Sequence, residues 1–205
     1  MKPEDLIALA YEEYSRIGVL APLRDQSPMV PGAGPLNAPV LLIGEAPGAQ
    51  EVEELKPFVG RSGRLLNTLL ATAGLPRRYC YVTNVLAYRP PGNRTPERFE
   101  IAASRERLCA EIEAVQPALV ITLGAVARRA MKPQGDPVSV CHGKPEPLGF
   151  IHNQDYQRGD PIQLEAEVTL NCMMLPTYHP SAALRDPAVH AMMRADLGFL
   201  EQFRE

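Results

Sequence analysis

The sequence predicts an α/β fold: a three-layer α/β/α sandwich around a central, mainly parallel four-stranded sheet. Three observations lead there. Short β-rich apolar runs alternate with segments of helical period, the pattern of parallel strands joined by crossover helices. The 205 residues, 45% hydrophobic and 22% charged, suit one globular core and argue against a disordered or collagen-like chain. Polar motifs follow the predicted strands directly, and open parallel sheets bind ligands at the carboxyl ends of their strands.

Taken in order, Pro3 to Ile17 sets Leu6, Leu9, Ala10, Tyr14 and Ile17 at near-helical spacing, with Pro3 in a first turn, and predicts an N-terminal helix. Pro22 to Pro39 holds Pro28, Pro31, Gly32, Gly34 and Pro35 and predicts an ordered surface loop. A strand is expected at Val40–Ile43, ending at Gly44-Glu45-Ala46-Pro47-Gly48. There follow a helix from Arg64 to Ala73, a strand from Tyr79 to Val85, a helix from about Pro96 to Val115 and a strand at Leu119–Leu123. Gly124 opens a helical stretch to Met131. Regularity then stops in Pro133 to Asp160, so a single domain over 1–205 is expected to carry an extended loop or flap insertion around 133–170. β-like residues return at Glu167–Met174, the chain passes through Leu175 to Pro180, and a last helix is expected from about Pro187 to Phe203.

Composition excludes several classes. With 21 basic and 24 acidic side chains the net charge is −3, which argues against a polybasic arm gripping nucleic acid, though not against a local basic site. Cys80, Cys109, Cys141 and Cys172 form no C-x-x-C pair, so neither a disulfide framework nor a zinc module is expected and a reduced compartment is. No signal-peptide pattern and no apolar run of about 18 residues is present, so a cytoplasmic protein without a membrane span is expected. The 21 prolines, about twice the usual share, cluster between regular segments.

The polar motifs carry the chemistry. Gly44 to Gly48 is compatible with a simple tight turn; it is not a P-loop, since no Gly-Lys-Ser/Thr follows. Pro57-Phe58-Val59-Gly60-Arg61-Ser62-Gly63-Arg64 sets two glycines beside a helix start, where backbone N–H groups can approach an anion while arginines add charge. Phe58 reads equally as core or as an exposed stacking platform. Arg89 and Arg94 lie in the proline-stiffened Tyr88–Pro96 loop, which suits phosphate contacts or a loop capped against the next helix. His179-Pro180-Ser181-Ala182-Ala183-Leu184-Arg185 joins a histidine to an arginine; a lone histidine is more often structural than catalytic.

Together these segments resemble the uracil-DNA glycosylase superfamily, most closely its family 4, the bacterial and archaeal iron–sulfur branch. Gly44–Gly48, Pro57–Gly63, Thr83-Asn84-Val85, Arg89-Pro90-Pro91-Gly92-Asn93-Arg94 and His179-Pro180-Ser181 stand in family order. The resemblance implies a monofunctional glycosylase that flips uracil, or a related deaminated base, out of DNA and hydrolyses its N-glycosidic bond, leaving an abasic site. It implies that Phe58 stacks on the base, that Asn84 reads its Watson–Crick edge, and that Gly44 and Ala46 border it. His179 matches the histidine that stabilises charge developing on uracil O2, and Glu45 and Glu51 match acidic positions that act on water or on the sugar. Arg61, Ser62, Arg64, Arg89, Arg94, Ser181, Leu184 and Arg185 are the implied DNA contacts.

Two departures qualify the resemblance. Family 4 holds a 4Fe–4S cluster on four cysteines, but Tyr88 stands at the third position, Ser104 at the fourth, and no cysteine precedes Cys80. No metal ligands and no cofactor are therefore expected. Ala182 and Ala183 replace bulkier residues that help wedge a duplex, leaving Leu184, so single-stranded or mismatched sites are expected to be favoured. The expected partner is DNA, bound by a monomer. An alternative is a weak or inactive superfamily member that binds DNA or a repair partner.

Overall fold

The computed structural model describes residues 1–148 and 172–203. In chain order its helices and strands are α1 (Pro3–Arg16), α2 (Ala21–Arg24), β1 (Val40–Gly44), α3 (Ala49–Glu54), α4 (Arg61–Thr72), β2 (Cys80–Asn84), α5 (Arg98–Ala103), α6 (Arg105–Val115), β3 (Leu119–Leu123), α7 (Ala125–Met131), α8 (Val138–Cys141), β4 (Glu146–Leu148), β5 (Cys172–Thr177), α9 (Pro180–Ala183) and α10 (Pro187–Leu197). The sheet order is β2-β1-β3-β5-β4, parallel except for β4 against β5.

The fold is α/β with helices on both faces, and its sheet has five strands where four were expected. The fifth, β4, pairs Glu146 with Met174 and Leu148 with Cys172. Only three residues long and with Pro147 at its centre, it gave no alternating pattern; proline is tolerated because this is an edge strand. Arg128 of α7 and Lys132 just after it pin the strand by ion pairs to Glu146. The last parallel strand ends later than expected: Glu167 to Asn171 fall outside the described residues, while β5 runs on through Leu175, Pro176 and Thr177. Pro176 pairs with Thr122 on β3, beyond the reach of β4, so its missing N–H breaks no ladder there. Much of the expected 133–170 insertion lies outside the described residues.

Strands β1, β2 and β3 are buried along their whole length, as expected of a sheet covered on both faces. Side chains alternate between two layers: Leu41, Ile43 and Val120 face Leu108, Ile112 and Ala127, whereas Val40, Leu42 and Ile121 face Leu66, Leu70, Met193 and Leu197. A third cluster joins α1 and the following turn to the chain after β2, through Tyr11, Tyr14, Leu20, Leu23, Leu86 and Tyr88.

Other boundaries moved for local reasons. The single helix expected from Pro96 to Val115 is two, because Ser104 donates its hydroxyl to the carbonyl of Glu100 at 2.9 Å and breaks the run. Helix α3 was invisible in the sequence since it buries no side chain and so carries no apolar stripe. The Pro22–Pro39 segment is more than a surface loop: Ala33 bridges Val82 and covers the outer edge of β2. The final helix ends at Leu197 and continues to Phe203 as 3₁₀ turns.

Candidate active site

A cavity of about 600 Å³ opens at the carboxyl ends of β1, β2 and β5, and Glu45, Phe58, Asn84 and His179 meet in its wall. Gly44 and Asn84 are register partners at the ends of β1 and β2. A Cβ on Gly44 would stand 2.3 Å from Asn84 Oδ1 and 2.4 Å from Phe58 Cζ, so glycine lets the amide and the ring close over the strand end. Phe58 is only 5% exposed and adopts φ 54°, left-handed for a bulky residue. Its carbonyl crowds Gly63, where a Cβ would lie 1.8 Å away. The two readings of Phe58 thus merge, since the ring is both packed and part of the cavity lining.

His179 caps α9: its Nδ1 accepts the Ser181 N–H at 3.1 Å and lies 2.7 Å from Ser181 Oγ. An acceptor at Nδ1 assigns the proton of the neutral ring to Nε2. Burial, then the charge of Arg185, pushes its pKa down to about 4, with Glu51 opposing, so the ring is neutral at pH 7. Its ring centroid lies 6.0 Å from that of Phe58. Glu45, half-buried, has its pKa raised by desolvation alone.

Asn84 is 4% exposed, and its side-chain amide lines the cavity. Beneath it lies a group that sequence reasoning missed: Arg107 Nη2 donates to the carbonyls of Asn84 and Val85, both at 2.7 Å. Arg107 Nη1 pairs with Glu111 at 2.6 Å, and Glu111 also accepts from Tyr11 (2.7 Å), Tyr81 (3.1 Å) and Thr83 (3.1 Å). The available signal was an Arg and a Glu four apart, bordering the Leu108–Ile112–Val115 stripe of α6. Glu51 also lines the cavity. Its Oε1 accepts the N–H groups of Val59 (3.0 Å) and Gly60 (2.8 Å), and its Oε2 that of Gly48 (3.1 Å).

Ala46, Arg61, Ser62, Arg94, Ser181 and Arg185 complete the expected set in the lining, while Gly44, Arg64, Arg89 and Leu184 stand outside it. Arg94 is held bidentate by Glu100 at 2.9 and 2.6 Å, which offsets its charge. Arg89 Nε donates to Asn93 Oδ1 at 2.8 Å, and Arg64 Nη1 to the carbonyl of Val59 at 3.3 Å. Leu184 is 41% exposed.

Tyr88 and Ser104, the positions that interrupt the cysteine pattern, do lie together. The Tyr88 ring stacks on Tyr14 with centroids 5.5 Å apart and planes 12° from parallel, and Ser104 Oγ is 3.3 Å from the Tyr14 hydroxyl. The four cysteines lie apart, on β2, α6, α8 and β5, all as free thiols, and no group of three or more His, Cys, Asp or Glu is gathered among the described residues. No described helix is long and apolar enough to cross a membrane.

Comparison with known proteins shows the family. The family model described as the uracil DNA glycosylase superfamily matches residues 31–198. The type-4 uracil-DNA glycosylase of Pyrobaculum aerophilum is 36% identical over 168 residues, 82% of this chain and 79% of that protein. The type-4 enzymes of Saccharolobus solfataricus and Thermotoga maritima are 35% and 31% identical over 82% and 89% of this chain, and 72% and 85% of their own lengths.

Proposed function

The chain belongs to the uracil DNA glycosylase superfamily, and from that premise we propose that it is a DNA-repair N-glycosylase that hydrolyses the bond joining uracil to deoxyribose and leaves an abasic site. The observation that carries this reading is the meeting, at three strand ends, of an aromatic face, a cavity-facing amide, a neutral histidine and a desolvated carboxylate. Each answers one requirement of removing a base.

The flipped uracil stacks on Phe58, and the Asn84 amide donates to one carbonyl while accepting from the ring N–H. As the C1′–N1 bond breaks, its electron pair moves into the uracil ring and negative charge gathers on O2. His179 donates its Nε2–H there, an oxyanion-type stabilisation that needs no protonated imidazole and so suits the depressed pKa. The cationic sugar faces Glu45, whose carboxylate stabilises it and orients the water that attacks C1′. Glu51, with its oxygens engaged by backbone, serves this scheme by holding the loops, and the work on water passes to Glu45.

Arg61, Arg185 and Ser62 grip phosphates at the mouth, with Arg64 and Arg89 outside it and Arg94 contributing mainly through its pair with Glu100. Leu184 fills the space a base vacates. With alanines before it, the wedge is small, which favours single-stranded or mismatched sites over paired DNA, since unstacking costs a few kcal/mol. The protein acts as a monomer in the cytoplasm.

The residues present do not fit a 4Fe–4S cluster. Tyr14, Tyr88 and Ser104 fill with packed rings and a hydroxyl the place where the family's ligands would gather, so we propose that the enzyme works without one. The function is tested by uracil release from oligonucleotides: the wild type releases the base, while Asn84→Ala and His179→Ala lose about a hundredfold or more in kcat/KM. No release by the wild type would leave the binding-protein alternative standing.

A further inference from the structure

Phe58 is held in a conformation that a phenylalanine does not choose. A φ of 54° in a bulky residue persists only where the surroundings enforce it. Two charged side chains do so, one holding backbone carbonyls and the other backbone N–H groups around the residue. On the carbonyl side, Arg77 reaches from the turn before β2 and donates Nη1 to the carbonyl of Phe58 at 3.0 Å and Nη2 to that of Pro57 at 2.5 Å. On the amide side, Glu51 Oε1 accepts the N–H groups of Val59 and Gly60, the next two residues. Arg77 is not in the lining of the cavity that Phe58 faces, and both of these hydrogen bonds go to backbone carbonyls.

We propose that Arg77 is a positioning residue for base binding: with Glu51 it clamps the Pro57–Gly60 backbone and fixes the plane of the Phe58 ring. This rests on the reading of Phe58 as the stacking surface for the flipped base. The fork geometry of a guanidinium is what lets one side chain hold two successive carbonyls, so lysine is not an equivalent. Since stacking acts alike on bound substrate and on the transition state, loosening the clamp weakens binding and leaves the chemical step almost untouched.

The test is a double-mutant cycle on uracil release, with thermal unfolding measured for every variant. Arg77→Met retains the apolar stem and removes both hydrogen bonds. It is expected to raise KM, and the inhibition constant of free uracil in parallel, by about tenfold, with kcat within about twofold of wild type. Arg77→Lys, which can reach one carbonyl, is expected to fall between. In a Phe58→Ala background the same Arg77→Met change should have almost no further effect on KM, because the ring through which it acts is gone. Multiplicative losses in that cycle, or a fall in kcat with KM and uracil inhibition unchanged, would overturn the proposal and mark Arg77 as a general structural residue. A wild type that releases no uracil and is not inhibited by it overturns the stacking reading itself, and the clamp's role in base binding with it.

Discussion

Two supports hold the chain as it leaves β2, and they are built from different materials, though Arg107 of the one lies 5.1 Å over the Tyr14 ring of the other. Under Asn84 the support is charged, with Arg107 and Glu111 almost wholly buried and tied to two backbone carbonyls, three hydroxyls and each other. Four residues later the support is aromatic, with Tyr88 stacked on Tyr14 over Leu20, Leu23 and Leu86. The difference follows from what each must do. A side chain that reads a base needs its backbone fixed in direction, which short charge-assisted hydrogen bonds supply. A loop that only has to stay docked needs buried area, which stacked rings supply with a looser geometry than a hydrogen bond demands.

The sharpest way to break that comparison is at Arg107. Arg107→Met leaves the Glu111 charge buried with its main partner gone, and is expected to cost about 3–5 kcal/mol in chemical denaturation. The double variant Arg107→Met with Glu111→Leu should recover most of that stability, yet keep the weakened uracil binding, since nothing then directs the carbonyls of Asn84 and Val85. If base binding recovers along with stability, the buried pair supports the fold and not the reading of uracil.

The aromatic support should behave differently. Tyr88→Ala is expected to lose about 3 kcal/mol by opening a cavity beside Tyr14. Tyr88→Phe, which retains the stack, should cost less than about 1 kcal/mol and leave uracil release unchanged. A Tyr88→Phe variant with impaired release would assign the hydroxyl a role that packing does not explain.

A smaller effect separates the two titrating groups of the pocket. His179 has its pKa lowered from 6.5 to about 4 by burial and Arg185, so the stability gained by keeping it neutral is fully present above pH 6.5 and is lost as the pH falls through about 4. Glu45 is raised above the ordinary carboxylate value by desolvation and is neutralised first on acidification. The acid limb of the wild-type rate is therefore expected to follow Glu45. In Glu45→Gln the residual rate, lower overall, should hold down to about pH 4 before His179 protonates, and an inflection near pH 6.5 in either protein would contradict the neutral-histidine scheme.

Much of this site was legible in the sequence because its residues sit in short motifs at strand ends, where the α/β pattern alone points to a ligand. Glu45, Asn84 and His179 are of this kind, while Phe58 stands in the glycine-flanked turn between α3 and α4. What escaped lies one layer deeper. Arg107 and Glu111 sit on a helix whose apolar stripe predicts burial for their neighbours and says nothing of a buried ion pair, and Arg77 precedes a strand with no motif around it. Among the elements, α3 has no buried face, and β4 is disguised by Pro147. Residues that line the cavity were readable from residue type and place, while those that hold them depend on contacts between distant segments.

That this pocket removes uracil on a protein scaffold with packed tyrosines in place of an iron–sulfur cluster is best tested by single-turnover uracil release from a single-stranded oligonucleotide, using protein stripped of iron by chelation and assayed for its metal content. Full wild-type release with no bound iron is expected. Release that vanishes with the iron and returns when the cluster is rebuilt would contradict it.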